Sequence, residues 1–321
     1  MPIVNETPNV VKDDKVCNSS NKQMTKNIKH KIEELIMRAE RKGKSRIPLG
    51  YISQFNNEEI ETIFEYKTHV YHGFIHLLVP SLTHQTMIGL LSNMAISSTK
   101  SEKIEVEVGS DKEHTTYNKY SCGHVCRRYM DFFLSVLEPT RCDPLVAEVS
   151  FRHENLHELI IEVAELLSEA SFFHYGISFK INDHLPFHGY FYVFERITPP
   201  NIDLINKLNS LESPKEVKCC EFDNFSQLNL EILNTLNLIL VFYREINDDN
   251  YYQDFSFDLE GEYFGSPDEF IRFTVSGRYM TKVRRMFYCH ILSEKMRLKN
   301  YELENFSETQ LPIVENLRKI L

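Results

Sequence analysis

A short acidic segment near the start of the chain holds the residue types that metal-dependent phosphodiester chemistry needs. Residues 58–67 read EEIETIFEYK. A nuclease clusters carboxylates to bind a divalent cation, and a nearby lysine stabilises the negative charge that develops on the phosphate. The segment is predicted to be extended. In a strand, Glu61, Glu65 and Lys67 project to one face, because successive side chains alternate. The alternative is a charged surface strand without chemistry.

The features around this segment resemble the divergent AlbA core of Schlafen proteins. The matching features are Glu59, the triplet Glu65-Tyr66-Lys67, a helix at Met87–Ser97, an alternating strand at Ile104–Gly109, and Asp111 after it. That family carries an acid, a Glu-aromatic-Lys triplet, a helix, and a strand that leads to a third acid. The resemblance covers about residues 48–240. It implies an α+β fold with a mixed sheet flanked by helices.

The resemblance also implies an activity, which is metal-dependent endoribonucleolytic cleavage of small or structured RNA. Glu65 and Asp111, together with Glu59 or Glu61, would hold Mg²⁺ or Mn²⁺. Lys67 would stabilise the charge of the phosphate in the transition state. Hydrolysis would proceed by in-line attack of an activated water.

Ile60 occupies the slot that the family gives to its first acid, five residues before Glu65. Glu59 or Glu61 would therefore have to serve through a shift in register. This departure extends the expectation to a non-catalytic subunit, which would scaffold an active partner in a heteromeric endoribonuclease of related Schlafen-like chains.

An adjacent cysteine pair, Cys219-Cys220, indicates a structural metal site. Schlafen cores hold a zinc ion with such a pair and with upstream ligands, and the resemblance assigns His184 and His188 to that upstream role. Thiolate and imidazole are the ligands that tetrahedral zinc prefers. The alternative is a pair of buried free thiols.

A second metal motif lies at residues 153–157, which read HENLH. In zinc proteases of this pattern, His153 and His157 would bind zinc one helical turn apart and Glu154 would polarise a water. Charged residues flank the motif here, and the apolar stripe of the predicted helix Asn155–Ala170 centres on other positions. A solvent-edge helix start is the preferred interpretation, and a zinc metalloprotease is the minor alternative.

The predicted C-terminal helix Arg278–Lys299 concentrates positive charge. Its candidates for RNA binding are Arg278, Lys282, Arg284 and Arg285, because phosphate contacts need a track of cations. A solvated amphipathic helix or a protein-partner surface is the alternative. The aromatic-rich second half of the chain also suggests a non-enzymatic protein-interaction scaffold.

The apolar pattern predicts a mixed series of elements to position these residues. Helices are predicted over Thr83–Ser97, Val125–Leu137, Asn155–Ala170, Leu228–Phe242 and Arg278–Lys299, and strands over Lys103–Gly109, Leu145–Phe151, Gly176–Ile181, Gly189–Ile197, Phe255–Leu259 and Phe270–Val275. The predicted organisation is a disordered arm over 1–25, a basic helix over 26–46, the Schlafen-like core over 47–245, and a second lobe or C-terminal helical extension over 251–321.

The overall composition of the chain indicates its cellular compartment and its class of partner. The 321 residues carry a formal net charge of −10. A protein that wraps a DNA duplex is usually basic, so RNA contact would have to be local. No stretch approaches the ~20 apolar residues of a membrane helix, and the first residues lack a secretory signal. The cysteine count of seven is odd, which favours a reducing compartment. We therefore expect a cytoplasmic protein without membrane insertion.

Overall fold

The computed structural model describes residues 27–38, 46–64, 66, 68–71, 74–78, 81–102, 104–110, 112–117, 125–138, 142–151, 155–210, 228–266 and 268–297. The helices are α1 at residues 27–38, α2 Asn57–Phe64, α3 Leu82–Ser101, α4 Leu156–Leu166, α5 Ile202–Asn209, α6 Leu230–Thr235 and α7 Gly277–Arg297. The strands are β1 Arg46–Tyr51, β2 Thr68–Tyr71, β3 Phe74–Leu78, β4 Glu105–Gly109, β5 Lys112–Tyr117, β6 Val125–Met130, β7 Phe132–Glu138, β8 Cys142–Phe151, β9 Tyr175–Ile181, β10 His188–Arg196, β11 Leu238–Asn247, β12 Phe255–Glu260 and β13 Phe270–Val275. The protein is of the α+β class, which confirms the fold class predicted from sequence.

A six-stranded mixed sheet with the order β11-β10-β9-β8-β7-β4 forms the centre. Its neighbours are antiparallel except β8 and β9, which run parallel. Parallel neighbours need a crossover connection, and α4 supplies it while packing on both strands. Gly176 of β9 permits this close packing, because a Cβ there would lie 2.5 Å from Cγ1 of Val163.

Elements cover both faces of this sheet and bury two apolar clusters. On one face, α3, α7, β12 and β13 bury a cluster that includes Phe179, Phe191, Phe273 and Phe287. On the other face, α4 and α6 pack on residues that include Val146 and Phe194. The elements of residues 251–297 therefore share a core with the central sheet.

The first elements form a smaller unit with its own apolar cluster. Strands β1, β3 and β2 form an antiparallel sheet. Ile32 of α1, Ile63 of α2, and Ile75 and Leu77 of β3 are buried together. β5 and β6 pair with each other, and β6 contacts β2. Strand β6 therefore joins this unit to the rest of the protein.

The extended structure predicted from Arg46 to Lys67 is wrong over its centre, where α2 forms instead. The cause is a reciprocal cap at the start of the helix. The Asn56 side chain accepts a hydrogen bond from the Glu59 N–H at 2.9 Å, and the Glu59 carboxylate accepts one from the Asn56 N–H at 2.9 Å. The prediction that Glu61 lies on a strand face is therefore also wrong.

The helix predicted at Val125–Leu137 is wrong as well, because this segment forms β6 and β7. Phe132 and Leu134 face one apolar cluster and Phe133 faces the other. The apolar run thus reflects a strand that is covered on both faces, and such a run cannot be distinguished from a buried helix by periodicity.

The helix predicted at Leu228–Phe242 is only partly right. It ends after α6, and β11 follows. Asn237 has a φ of 55°, a left-handed conformation that asparagine adopts more readily than most residues. The other predicted helices and strands are confirmed as α3, α4, α7, β4, β8, β9, β10, β12 and β13. Within the described residues, no helix is long and apolar enough to span a membrane.

Candidate functional site

The acidic residues of the predicted catalytic set are only partly described. Glu59 is half-buried and its carboxylate caps α2 through Asn56. Glu61 lies within α2, and its side chain is outside the described residues. Glu65, Lys67 and Asp111 are outside them too. Glu59, the one catalytic candidate whose side chain is described, therefore stabilises the start of α2.

The strands next to these residues are described and lie near one another. Lys67 immediately precedes β2, and Asp111 immediately precedes β5. β5 pairs with β6 from Lys112 opposite Met130 to Tyr117 opposite Val125. β2 contacts the same strand β6. The two segments that carry the predicted acids and lysine thus adjoin strands that meet at β6.

Of the two histidines of the predicted zinc site, His184 lies within the turn between β9 and β10, and His188 is the first residue of β10. His184 is exposed. His188 Nδ1 lies 3.0 Å from the amide nitrogen of Asn182, and Nε2 lies 2.7 Å from Oε1 of Glu245. An amide donating to Nδ1 leaves the proton on Nε2, which then donates to Glu245. Both ring nitrogens of His188 are thus engaged within the protein.

The cysteines of the predicted zinc site, Cys219 and Cys220, are outside the described residues. In the described part of the chain, no group of three or more histidine, cysteine, aspartate or glutamate side chains has a metal-binding arrangement.

The protease-like motif lies at the start of α4. His153 and Glu154 are outside the described residues. Asn155 and Glu158 form a capping box, which accounts for the helix start at this point. His157 is buried, and burial lowers its pKa while neighbouring Glu158 acts in the opposite direction.

The basic residues of α7 divide into two groups. Arg278, Lys282 and Arg285 are exposed and lie on one helical face, because residues three and four apart are neighbours on a helix. Arg284 is 4% exposed, and its Nε donates to Oδ1 of Asp248 at 2.6 Å. Its side chain is therefore not part of the exposed basic surface predicted from sequence. We call Arg278, Lys282 and Arg285 the basic stripe.

Sequence reasoning missed a cluster of polar and aromatic side chains on the α4 side of the sheet. We call it the tyrosine face: His188, Tyr190 and Tyr192 of β10 with Tyr243 and Glu245 of β11. Tyr190 lies opposite Glu245, and Tyr192 opposite Tyr243. The Tyr192 and Tyr243 rings are 4.7 Å apart and tilted by 33°. The alternation of His188, Tyr190 and Tyr192 in the sequence indicates that these side chains share one face of a strand. The helix predicted over Leu228–Phe242 includes the first half of β11, so the strand that pairs with β10 is not predicted.

The chemistry of the tyrosine face is that of hydrogen-bond donors beside one acceptor. Burial raises the pKa of Tyr190, and the nearby Glu245 carboxylate raises it further. Burial likewise raises the pKa of Tyr192 and of Tyr243. The phenols therefore stay protonated at neutral pH and can donate. Glu245 is half-exposed in its side chain and can accept.

The tyrosine face continues toward α4 as a buried polar row. Lys180 of β9 lies beside Tyr190, and its Nζ donates to Oγ of Ser150 on β8 at 3.1 Å. Both residues are buried. Buried polar groups of this kind are kept in place by their hydrogen bonds. Lys180 and Ser150 therefore have fixed positions next to the tyrosines.

A second histidine–glutamate pair lies at the opposite end of β10. His174 Nε2 is 3.0 Å from Oε1 of Glu195, and the His174 ring stacks on Tyr263 at 3.4 Å. Burial lowers the pKa of His174 to about 4, with Arg196 contributing, while Glu262 acts against the shift. Burial raises the pKa of Glu195. His174 is therefore neutral at pH 7.

Searches with this chain find no matching protein-family model, no matching curated protein and no matching solved structure.

Proposed function

We propose that this protein is a Schlafen-like RNA-processing protein. It acts as a metal-dependent endoribonuclease on small or structured RNA, or as the non-catalytic subunit of a heteromeric endoribonuclease of related chains. The observation that supports this proposal is the contact of β2 with β6, which itself pairs with β5. Lys67 directly precedes β2, Glu65 lies two residues before Lys67, and Asp111 directly precedes β5. The residues proposed for one site are thus close in sequence to strands that lie together.

The acidic set in this proposal is Glu61, Glu65 and Asp111. Glu59 is the weaker alternative, because its carboxylate accepts the Asn56 N–H at the start of α2. Glutamate and aspartate oxygens are the ligands that Mg²⁺ and Mn²⁺ prefer. A bound cation would lower the pKa of a water and so supply the hydroxide nucleophile for the phosphate. Lys67 would place its ammonium group against the charge that develops on the phosphate oxygens.

The basic stripe supports the RNA part of the proposal. Arg278, Lys282 and Arg285 are exposed on one face of α7, where they could follow a phosphate backbone. Contacts of this kind weaken as salt rises, because RNA binding releases condensed counterions. In a chain with a net charge of −10, such a local concentration of cations is the natural place for phosphates.

The experiment that tests the proposal is RNA cleavage by the purified full chain. A labelled small structured RNA is incubated with Mn²⁺, and the cleavage rates of wild type, Glu65→Gln and Glu107→Gln are compared. Glu107 is an exposed glutamate of β4 and provides the matched loss of one charge. We expect cleavage that needs the cation, is abolished in Glu65→Gln and is unchanged in Glu107→Gln.

The results of this experiment also separate the two forms of the proposal. No cleavage by the chain alone, but cleavage by a co-purified complex that contains it, supports the non-catalytic subunit. Cleavage that persists unchanged in Glu65→Gln removes this residue from the mechanism. Because an odd number of cysteines, seven, favours a reducing compartment, we propose that the activity is cytoplasmic.

A structural zinc ion bound by Cys219, Cys220, His184 and His188 remains part of the proposal. His188 would have to exchange its hydrogen bond to Asn182 or to Glu245 for the metal. Metal analysis of the same purified protein would therefore be expected to give about one zinc per chain, as a four-ligand structural site requires.

A second candidate function, a non-enzymatic protein scaffold, is favoured by β11. This strand lies at the edge of the central sheet in the described part of the chain. Ile239 and Leu240 are 47% and 38% exposed. An edge strand presents backbone groups that can pair with a strand of another chain. Loss of a co-purifying protein in Leu240→Lys, with RNA cleavage absent throughout, would support the scaffold instead.

A further inference from the structure

We propose that the tyrosine face is a subsite for an unpaired guanine base, with Tyr243 stacking on the base and Glu245 accepting hydrogen bonds from its Watson–Crick edge. The subsite rests on the RNA-binding part of the proposed function and is independent of the metal chemistry. Single-stranded RNA is recognised in this manner, because its unstacked bases offer both a flat π surface and a free edge.

Tyr243 supplies the stacking surface. The centroid of its ring lies 4.7 Å from that of Tyr192, and the residue is 44% exposed, so it keeps surface that a base can cover. Tyr192 itself stacks on Phe194, with centroids 5.7 Å apart and planes within 4°. Phe194 is fully buried. The exposed ring is thus supported from below by aromatic residues that the core holds in place.

Glu245 supplies the selectivity. Its Oε1 accepts the Nε2–H of His188 at 2.7 Å, and Asn182 on the far side of the imidazole fixes that orientation. The side chain is 50% exposed, and a carboxylate has two oxygens that accept several hydrogen bonds. Guanine offers two adjacent donors, N1–H and the N2 amino group. Adenine, cytosine and uracil each offer a single donor group there, so a fixed carboxylate favours guanine.

The spacing of the two residues suits a stacked purine. Tyr243 and Glu245 are two residues apart on β11 and so lie on the same face, about 6.6 Å apart along the strand. The half-width of a purine centred over the ring of Tyr243, plus one hydrogen bond of about 2.9 Å, would span this distance. The base and the carboxylate can therefore be engaged at the same time.

The polar groups of the tyrosine face favour a base over an apolar protein segment. Tyr190 keeps its hydroxyl proton, and His188 and Glu245 lie beside it. Covering these groups with aliphatic side chains would desolvate them without new partners, which is unfavourable. A base brings donors and acceptors of its own. The basic stripe is on α7, which packs on the opposite face of the sheet, so phosphate contacts should contribute little at this subsite.

The test is binding of a short 5′-labelled RNA by the full chain in buffer without added Mg²⁺ or Mn²⁺, measured by fluorescence anisotropy. One RNA is oligoadenylate with a single central guanosine, and the other is oligoadenylate alone. Tyr243→Ala should weaken binding of the guanosine-containing RNA by roughly 5- to 150-fold, the range expected for one stacked base. Tyr243→Phe keeps the ring and should retain wild-type binding.

Two further variants define the specificity and the background. Glu245→Gln should remove the preference for the guanosine-containing RNA and leave oligoadenylate binding unchanged. Tyr252→Ala is the matched control, because Tyr252 is 59% exposed and lies outside the tyrosine face. It should bind as wild type does.

Competition with guanosine monophosphate shows whether the subsite takes the free nucleotide or needs the RNA strand. Circular dichroism of each variant verifies that it is folded.

The outcomes separate this inference from the proposed function. Equal binding by folded Tyr243→Ala and wild type overturns the subsite, even if Mn²⁺-dependent cleavage is observed. A change in molar mass by light scattering in Tyr243→Ala, with RNA binding unaffected, also overturns it and identifies a protein interface. Guanosine-dependent binding that needs Tyr243, in a protein that cleaves no RNA alone or in a complex, supports the subsite and removes the nuclease.

Discussion

Two arginine–aspartate pairs in the C-terminal part of the protein use the same chemistry in opposite environments. Arg284 Nε lies 2.6 Å from Oδ1 of Asp248, with side chains 5% and 18% exposed. Arg272 contacts both carboxylate oxygens of Asp258, at 2.9 and 3.0 Å, with side chains 71% and 42% exposed. The exposed pair makes two hydrogen bonds and the buried pair one, yet we expect the fold to depend more on the buried pair.

The difference lies in the groups that surround each pair. Asp248 also accepts hydrogen bonds from the Phe187 N–H at 3.3 Å and from the Tyr288 hydroxyl at 3.0 Å. The guanidinium of Arg284 lies 4.4 Å from the Tyr251 ring centroid. Removing one member of a buried network leaves the other charge without compensation, whereas water replaces a lost partner at the surface. Arg284 thus belongs to the interior, and the basic stripe remains available to a ligand.

The largest expected effect is that of Asp248→Asn on stability. The substitution removes the negative charge opposite Arg284 and leaves that guanidinium buried. We expect a loss of about 3–5 kcal/mol in the free energy of unfolding, measured by urea denaturation followed by circular dichroism. A loss no larger than that of Asp258→Asn would show that burial does not distinguish the two pairs.

A double variant sharpens this prediction. Arg284→Met with Asp248→Asn removes the stranded charge and keeps a long apolar side chain between the tyrosines. We expect the loss of unfolding free energy in the double variant to be smaller than the sum of the two single-variant losses. The difference should be about 0.5–3 kcal/mol, the coupling typical of groups in one network. Additive losses would mean that the aromatic contacts of Arg284, rather than its charge, hold α7 in place.

The next effect concerns pH and the buried His174–Glu195 pair. Burial lowers the pKa of His174 to about 4 from its ordinary 6.5. Between these values the unfolded chain binds a proton on this residue that the folded protein does not, so stability falls as pH decreases from 6.5 toward 4. Glu195, with its raised pKa, acts in the opposite direction over its own range. We expect His174→Gln to reduce the slope of unfolding free energy against pH in this window.

The control for the pH experiment is His30→Gln, which removes an exposed histidine of α1. We expect it to change the slope less than His174→Gln does. A wild-type slope in His174→Gln would show that other groups dominate the acid sensitivity of the fold.

Much of the fold could be predicted from the sequence where one face of an element is polar. The stripe of α4 and the alternation of β12 and β13 mark such elements, and they were located correctly. The prediction failed at Val125–Leu137, where both faces of β7 are covered and periodicity disappears. It also failed at α2. The reciprocal cap between Asn56 and Glu59 starts a helix in the acidic segment, which was predicted to be extended.

The candidate site was harder to predict, because burial is a property of the whole fold. Arg278, Lys282, Arg284 and Arg285 are close together in the sequence, and only the helical phase separates Arg284 from the rest. The tyrosine face depends on the register of β10 with β11, a contact between segments far apart in the chain. Sequence periodicity identifies the strands, but it does not give their order or which side chains they bring together.

The smallest expected effect is that of Asp258→Asn. The hydrogen bonds from Arg272 lower the pKa of the Asp258 carboxyl below its ordinary value, so the pair exists as ions at neutral pH. Both side chains are exposed, and water and salt screen such a pair. We expect a urea midpoint that cannot be separated from that of wild type, with any remaining difference lost in high salt. A large loss of stability in Asp258→Asn would mean that the antiparallel pair β12–β13 depends on its surface charges. Burial would then not explain why the two arginine–aspartate pairs differ in their effect on stability.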